Sequence, residues 1–548
     1  MKKFWNEFLA FIKKPSFTVP LILTLIMGYG FAVTHFTVGI DTLARSRYIN
    51  GQLFAQGRFS SSLVSYFFRF TDAYPFAEDF FAVILLFFAA ATLCVVLKNA
   101  SEDRLHYPVY PVFACLFVSY PLINEIFIYN GASLNVAIGY LLTGISLLIT
   151  DRTLAAMLRK EKKKQAAGTV VTILIWGFLM SLYESFVFVY VLCVCMVLIL
   201  NGLYGEKREK SFLPKKIAVY AFPLICGVAA EFIFGKIASL IFDFPGQAYA
   251  ANTVVIPDRF SLGTIVSAVY TLFRRCFLNA FWYLPIFIFA VCMILSTIQC
   301  VILCVKKKSA WYLLFYAGMY FSLFAIGLMK FGDLKYRTAQ AFAIFTSFVL
   351  ILTLQYLLTK YKKPWLRIAF LSLCGLLIFY QAVDLSRHFS DNYRRWEEEK
   401  NVLLSVGNRL QSEYAETLQS KPVVFIGEYH LSESILDDKY VRADDPGYLA
   451  LKKVWSIFGG DLSTSDYDET HVLVRAQHEN TSVISWGIDS FDDGNTELLN
   501  ILKYLGYSFI QSSYEQYLEA AELTEALPAY PETGYITETE DYIVVNFG

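Results

Sequence analysis

Charged side chains are scarce in this sequence. Asp, Glu, Lys and Arg make up 17% of its 548 residues, against about 25% in a soluble globular domain. A chain this poor in charge cannot keep a large surface wet, and the composition also excludes a disordered, collagenous or nucleic-acid-binding protein. Cysteine is missing altogether beyond Cys374, and no Cys-x-x-Cys pair occurs anywhere. No disulfide framework or zinc-type site is therefore implied, and the last third of the chain needs no oxidising compartment to fold. The six histidines are dispersed, and His-Glu-x-x-His, Gly-x-Ser-x-Gly and P-loop patterns are all lacking. Metalloprotease, serine hydrolase and ATP-driven pump readings lose their support.

What is present is apolar. Hydrophobic residues reach 56%, aromatic residues 17%, and the mean hydropathy is +0.47. A hydrocarbon core about 30 Å thick is crossed by about 20 helical residues. Runs of that kind recur near residues 17–36, 79–98, 109–127, 131–150, 169–184, 187–203, 217–240, 280–304, 310–329, 340–359 and 367–385. They predict a polytopic α-helical membrane protein with about eleven spans. The stretch 168–204 is too long for one helix, and Ser181-Leu182-Tyr183-Glu184-Ser185 is the natural place to turn.

The net charge of zero hides a division. Residues 386–548 hold 12 Lys and Arg against 29 Asp and Glu, whereas residues 1–385 hold 35 against 18. A chain split this sharply has two parts in two surroundings. The boundary predicts a membrane part, 1–385, with a long external loop at 37–78 that carries re-entrant or interfacial helices, and an acidic extracytoplasmic α/β domain, 386–548. In the second part Pro422 to Gly427 reads as a buried strand, Leu498 to Leu505 as an amphipathic helix and Tyr542 to Phe547 as a final strand. Basic clusters at Lys2 to Lys14, Arg159 to Lys164, Lys207 to Lys216, Lys306 to Lys308 and Lys360 to Arg367 fall on one side of that topology. The positive-inside bias makes that side, and the N-terminus, cytoplasmic. The chain is expected in the cell membrane as a multi-pass protein.

Polar groups at membrane depth are the functional candidates, because a mid-membrane carboxylate costs about 2.5–3.5 kcal/mol on insertion scales. Asp41 follows the first span, Glu125 ends the third, Glu184 lies in the turn between the fifth and sixth, and Glu231 is in the seventh with Lys236 beyond it. Lys330, Lys335 and Arg337 lie between the ninth and tenth. The loop 37–78 adds Arg45, Arg47, Arg58 and Arg69. Arginine grips phosphate with a planar fork, and a carboxylate can take a proton from an attacking hydroxyl. Plainer roles compete: Asp41 as an N-cap on a helix starting at Thr42, Glu231 and Lys236 as a neutralising pair, Arg45 and Arg47 at lipid headgroups, and Arg337 as an interfacial anchor. Gly427-Glu428-Tyr429-His430, His471 and His478 read as ordinary loop and surface residues.

A carboxylate just after the first helix, about eleven spans and an external C-terminal part resemble the GT-C superfamily of polyprenyl-phosphate-sugar glycosyltransferases. Within it the chain is most similar to the Gtr type II glucosyltransferases that decorate O-antigen. The carrying residues are Gly39-Ile40-Asp41, the stretch from Asn50-Gly51 to Gly57-Arg58-Phe59, Ser181-Leu182-Tyr183-Glu184-Ser185 and the strand Val423 to Gly427. The chain departs from the family pattern where Asp41 stands without a paired acid, Glu184 replaces Gln, and Gln52 interrupts an Asn-Gly-Arg sequence. The resemblance implies inverting transfer of a hexose, glucose in this family, from an undecaprenyl-phosphate-linked donor to a cell-surface polysaccharide or lipid-linked glycan at the outer face. Asp41 would be the general base. Arg45, Arg58, Glu125, Tyr183, Glu184, Arg275, Lys335 and Arg337 would be the candidates for binding the donor phosphate or the substrates. No cofactor is implied, and a divalent cation is compatible but not required. The partners would be the donor lipid, a surface glycan acceptor and membrane lipids, with no nucleic acid. Two other readings stand beside this one: a transporter or flippase of lipid-linked saccharide, and a membrane-anchored surface binding or sensor protein.

Overall fold

The computed structural model describes residues 2–39, 58–68, 75–128, 132–205, 212–242, 262–273, 276–277, 286–330, 334, 338–432, 439–442, 449, 452–453, 464–466, 471–474, 482–489 and 496–548. Among them, ten helices are long and apolar enough to cross a membrane, and a bent pair makes an eleventh. A short amphipathic helix α1 (Lys2–Ile12) precedes α2 (Pro15–Thr34). After α3 (Phe59–Phe68) come α4 (Pro75–Ala100), α5 (Val109–Val118), α6 (Asn124–Ile128), α7 (Ser133–Leu158), α8 (Lys162–Leu182) and α9 (Phe186–Tyr204). They are followed by α10 (Phe212–Phe242), α11 (Leu262–Phe273), α12 (Ile286–Lys307), α13 (Trp311–Met329), α14 (Ala341–Lys360) and α15 (Pro364–Glu413). The chain is thus a multi-pass membrane protein. The turn expected within 168–204 falls at Tyr183–Ser185, where Tyr183 is extended and caps α8.

The third span is the bent one. Its halves, Val109–Val118 and Pro121–Phe127, meet at 41°. A broken helix leaves carbonyls unsatisfied where no water can reach them, and the Tyr29 hydroxyl answers one by donating to the Val118 carbonyl at 2.7 Å. Elsewhere the spans pack closely through small residues. Trp176 is fully buried, and a Cβ added to Gly227 would lie 2.2 Å from its Cβ. Only glycine lets α10 approach α8 this closely.

The sequence predicts a span at 367–385 and, from Arg394 to Glu413, a polar helix leading out of the membrane. The structure makes them a single helix of 50 residues, about 75 Å long at 1.5 Å per residue. No Gly or Pro interrupts residues 376–406. Pairs at i,i+4 spacing carry the helix out of the apolar zone: Asp384 with His388 (3.5 Å), Arg387 with Asp391 (3.7 Å) and Arg395 with Glu399 (3.5 Å). Such pairs support a helix where hydrocarbon no longer does. The face of the membrane bundle from which α15 projects is its distal face.

Beyond α15 the backbone forms β1 (Val423–Ile426), parallel to β6 (Ile543–Asn546), with β5 (Ile536–Glu538) antiparallel on the outside of β6. A second, antiparallel sheet has the order β2 (Lys439–Arg442), β4 (His471–Val474), β3 (Thr464–Asp466). Short helices α16 (Val483–Asp489), α17 (Thr496–Tyr504) and α18 (Tyr514–Ala521) complete this region. The strands β1 and β6 are buried throughout. Val423, Phe425 and Val545 pack with Leu403 and Val406 of α15, whereas Val424, Ile426 and Val544 pack with Ala520 of α18. Burial on both faces explains their unbroken apolar sequence. Gly427 ends β1 at φ 85°, where an added Cβ would lie 2.4 Å from the Gly548 carbonyl oxygen.

Candidate functional site

Successive spans run in opposite directions, so the starts of α4, α7, α9 and α14 and the ends of α8 and α10 gather at the distal face. There α3 lies across the end of α8. The sequence of α3, Phe-Ser-Ser-Ser-Leu-Val-Ser-Tyr-Phe-Phe, is too short to span, and its serines turn toward the bundle. Ser60 and Ser181 share a hydrogen bond between hydroxyls. Ser61 accepts from the Asn135 amide at 2.7 Å, and Phe59 meets Phe234 of α10 with ring centres 6.2 Å apart.

These contacts fix Arg58, the residue before α3. Its guanidinium carbon lies 5.5 Å from the centre of the Tyr183 ring, within cation–π range. Tyr183 is held in turn by the α8–α9 turn: its amide donates to the Leu179 carbonyl at 2.9 Å, and its carbonyl accepts from the Phe186 amide at 3.2 Å. Glu184 follows it and is exposed. The Glu231 carboxylate on α10 lies within electrostatic range of Glu184. Ser185 then donates to the side-chain oxygen of Gln340, and the Gln340 carbonyl accepts from the Tyr140 hydroxyl at 2.9 Å. The outcome is a polar belt of serines, amides and acids with an arginine stacked on a tyrosine.

Of the sequence candidates, the structure brings Arg58 and Tyr183 into contact and sets Glu184 beside them. Glu125 is buried in the first turn of α6. Two residues on, Phe127 packs against Tyr29 of α2 and Phe389 of α15. Asp41, Arg45, Arg275, Lys335 and Arg337 lie outside the described residues, as do Arg47, Arg69 and His478.

Sequence reasoning passed over several residues of this belt. Glu78 and Asp79 are both buried, and Asp79 accepts from the Ser133 hydroxyl at 2.8 Å. Two adjacent acids heading a long apolar run are a legible signal, but acids also suit any helix N-terminus, so the pattern alone reads as capping. Asn135 and Gln340 carry no sequence signal. Among the described residues, no group of three or more His, Cys, Asp or Glu is placed to hold a metal ion. In the C-terminal region Tyr429 donates to Glu398 at 2.8 Å. Burial and that carboxylate push its hydroxyl well above the usual tyrosine range.

The apolar helices among the described residues, ten, or eleven with the bent pair, define a multi-pass membrane protein with a polar belt at one face of its bundle. The family model for the glucosyl transferase GtrII family matches residues 30–354. The match covers more than half of the chain and includes the whole belt. The chain belongs to the GtrII glucosyltransferase family, and membership makes it a membrane glycosyltransferase by class. No curated protein and no solved structure gives a match.

Proposed function

We propose that this protein transfers glucose from an undecaprenyl-phosphate-linked donor to a cell-surface glycan, with inversion at the anomeric carbon. The carrying observation is Arg58 stacked on Tyr183 at the face of the bundle from which α15 projects. A guanidinium held by a ring and flanked by hydroxyls at the end of the membrane suits a lipid phosphate, which must lie at that depth. By the positive-inside bias the basic loops lie in the cytoplasm, so the belt and residues 386–548 face outward across the cell membrane.

In the reaction an acceptor hydroxyl attacks the anomeric carbon as Asp41 takes its proton. The bond from that carbon to the phosphate oxygen breaks on the opposite face, and the lipid phosphate departs with the electron pair. Arg58, held by Tyr183, meets the charge developing on that oxygen. Asn135, Asp79 and Gln340 are buried and hold Ser61, Ser133 and Ser185, so they brace the belt behind Arg58. The lipid phosphate is its own activated leaving group, so the reading calls for no nucleotide and no resident cofactor.

The test is reconstitution in proteoliposomes with undecaprenyl-phosphate-glucose and a lipid-linked surface glycan. Glucosylated glycan is the expected product, and a new linkage opposite in anomeric sense to the donor supports inversion. Saccharide crossing the bilayer with no product formed would replace this reading with that of a transporter. Arg58→Ala is expected to lower kcat/KM about 100-fold, a typical cost of removing one group that stabilises developing charge, with Arg58→Lys recovering part of the loss. Tyr183→Phe keeps the ring and is expected to stay within about threefold of wild type, whereas Tyr183→Leu removes a cation–π contact of about 0.5–2 kcal/mol and should fall further. Equal rates for the Phe and Leu variants would show that the ring does not orient Arg58.

A further inference from the structure

The chain leaving α2 is not a free loop. His35 stacks on Phe31 with ring centres 3.9 Å apart and meets the Tyr393 ring at 5.0 Å. Phe36 packs against Trp396 and Tyr504. The Asn392 amide donates to the Thr37 hydroxyl at 3.3 Å. Val38 is 1% exposed and is part of the hydrophobic core formed by the C-terminal region. The strongest tie is polar: Arg395 of α15, itself buried, donates from Nη2 to the Val38 carbonyl at 2.7 Å.

Arg395 is held from its other side. Its Nη1 lies 3.5 Å from Glu399 Oε2. Glu399 is fully buried, and its Oε1 accepts from the Ser482 hydroxyl at 2.7 Å and from the Val483 and Ile484 amides at the start of α16. Hydrogen bonds from α16 to Glu399, the Glu399–Arg395 ion pair and the hydrogen bond from Arg395 to Val38 therefore form one continuous chain that ends three residues before Asp41. A guanidinium suits this place because its planar fork serves two partners in fixed directions, which an ammonium cannot do.

We infer that Arg395 is a positioning residue, fixing the backbone that leads into Asp41, and that Glu399 fixes Arg395, so the C-terminal region is a working part of the transfer site. The inference rests on the proposed role of Asp41. It assigns this role to a region outside residues 30–354, the stretch that the family model matches. A one-ångström displacement of a catalytic group can cost about 100-fold in rate, so losing an anchor on Val38 is expected to show in the rate.

The full-length protein in lipid nanodiscs gives two independent readouts: hydrogen exchange of the Phe36 to Gly39 amides, and kcat and KM for undecaprenyl-phosphate-glucose. Arg395→Met is expected to speed exchange over Phe36–Gly39 at least tenfold and to lower kcat 10- to 100-fold, with the donor KM within twofold. Arg395→Lys should restore part of both. Unchanged exchange over Phe36–Gly39, or faster exchange with unaltered kcat, overturns the inference. So does a variant in which exchange rises equally across 386–548, because that is a loss of folding only. Where Arg395→Met does not fold, Glu399→Gln decides: it keeps the volume and an acceptor oxygen but drops the charge that orients Arg395. Faster exchange at Phe36–Gly39 with a lower kcat then supports positioning, and wild-type behaviour in both refutes it. If the wild-type protein transfers no glucose, the proposed reaction fails while the exchange data still decide whether Arg395 anchors the segment.

Discussion

Asp41→Asn is expected to reduce glucosyl transfer about a thousandfold while leaving the donor KM nearly unchanged. Asparagine has the same size and keeps an acceptor oxygen, but it cannot take up the proton released by the attacking hydroxyl. General-base catalysis accounts for about 10²–10⁴ in rate, and the middle of that range sets the expectation. Initial rates with undecaprenyl-phosphate-glucose in proteoliposomes give the comparison. Wild-type turnover in the Asn variant would remove Asp41 from the mechanism, and a rise in KM at constant kcat would recast it as a binding group.

The second large effect concerns folding. Gly227→Val is expected to destabilise the membrane bundle by about 3 kcal/mol, at the top of the usual range for overpacking. An added Cβ would lie 2.2 Å from the Cβ of Trp176, 3.1 Å from its backbone carbonyl carbon and 3.2 Å from the Gly177 nitrogen. Those neighbours are backbone or the root of a side chain, so no rotamer change makes room, and α10 must move away from α8. Phe59 packs on Phe234 of that same helix, so the displacement also reaches the support of Arg58. Gly375→Ala is the matched control, because a Cβ there meets nothing within 4 Å and alanine is the better helix former by about 1 kcal/mol. Thermal unfolding in detergent should show a large fall in midpoint for Gly227→Val and none for Gly375→Ala. Similar midpoints for both variants would mean that the α8–α10 crossing is not tightly packed.

Some of the site was legible in the sequence and some was not. Arg58 and Tyr183 stood out because a charge and an aromatic beside a span end are conspicuous in an apolar chain. That they touch follows from Ser60 and Ser61, whose partners Ser181 and Asn135 lie 121 and 74 residues away. No local pattern encodes such pairings. Asp79 was hidden differently: an acid in the first turn of a helix has a sufficient local reason to be there, so its burial against Ser133 leaves no trace in the sequence. The tie from Arg395 to Val38 joins residues 357 positions apart, and Arg395 reads as one more charge on a polar helix.

Charge scarcity and apolar run length by themselves determined that the chain is a multi-pass membrane protein, because the thickness of a bilayer imposes its length on any helix that crosses it. The same runs set the number of spans, counting the bent pair as one. The tertiary structure alone decided which polar side chains meet at the distal face. It also decided that the last span and the polar helix beyond it are one, and that Val38 belongs to the core of the C-terminal region. Span length is a one-dimensional property, fixed by residues that are neighbours in sequence. The belt and the Arg395 tie depend on which helices pack together, which is set by the fit of side chains across distant segments, such as a glycine opposite a tryptophan.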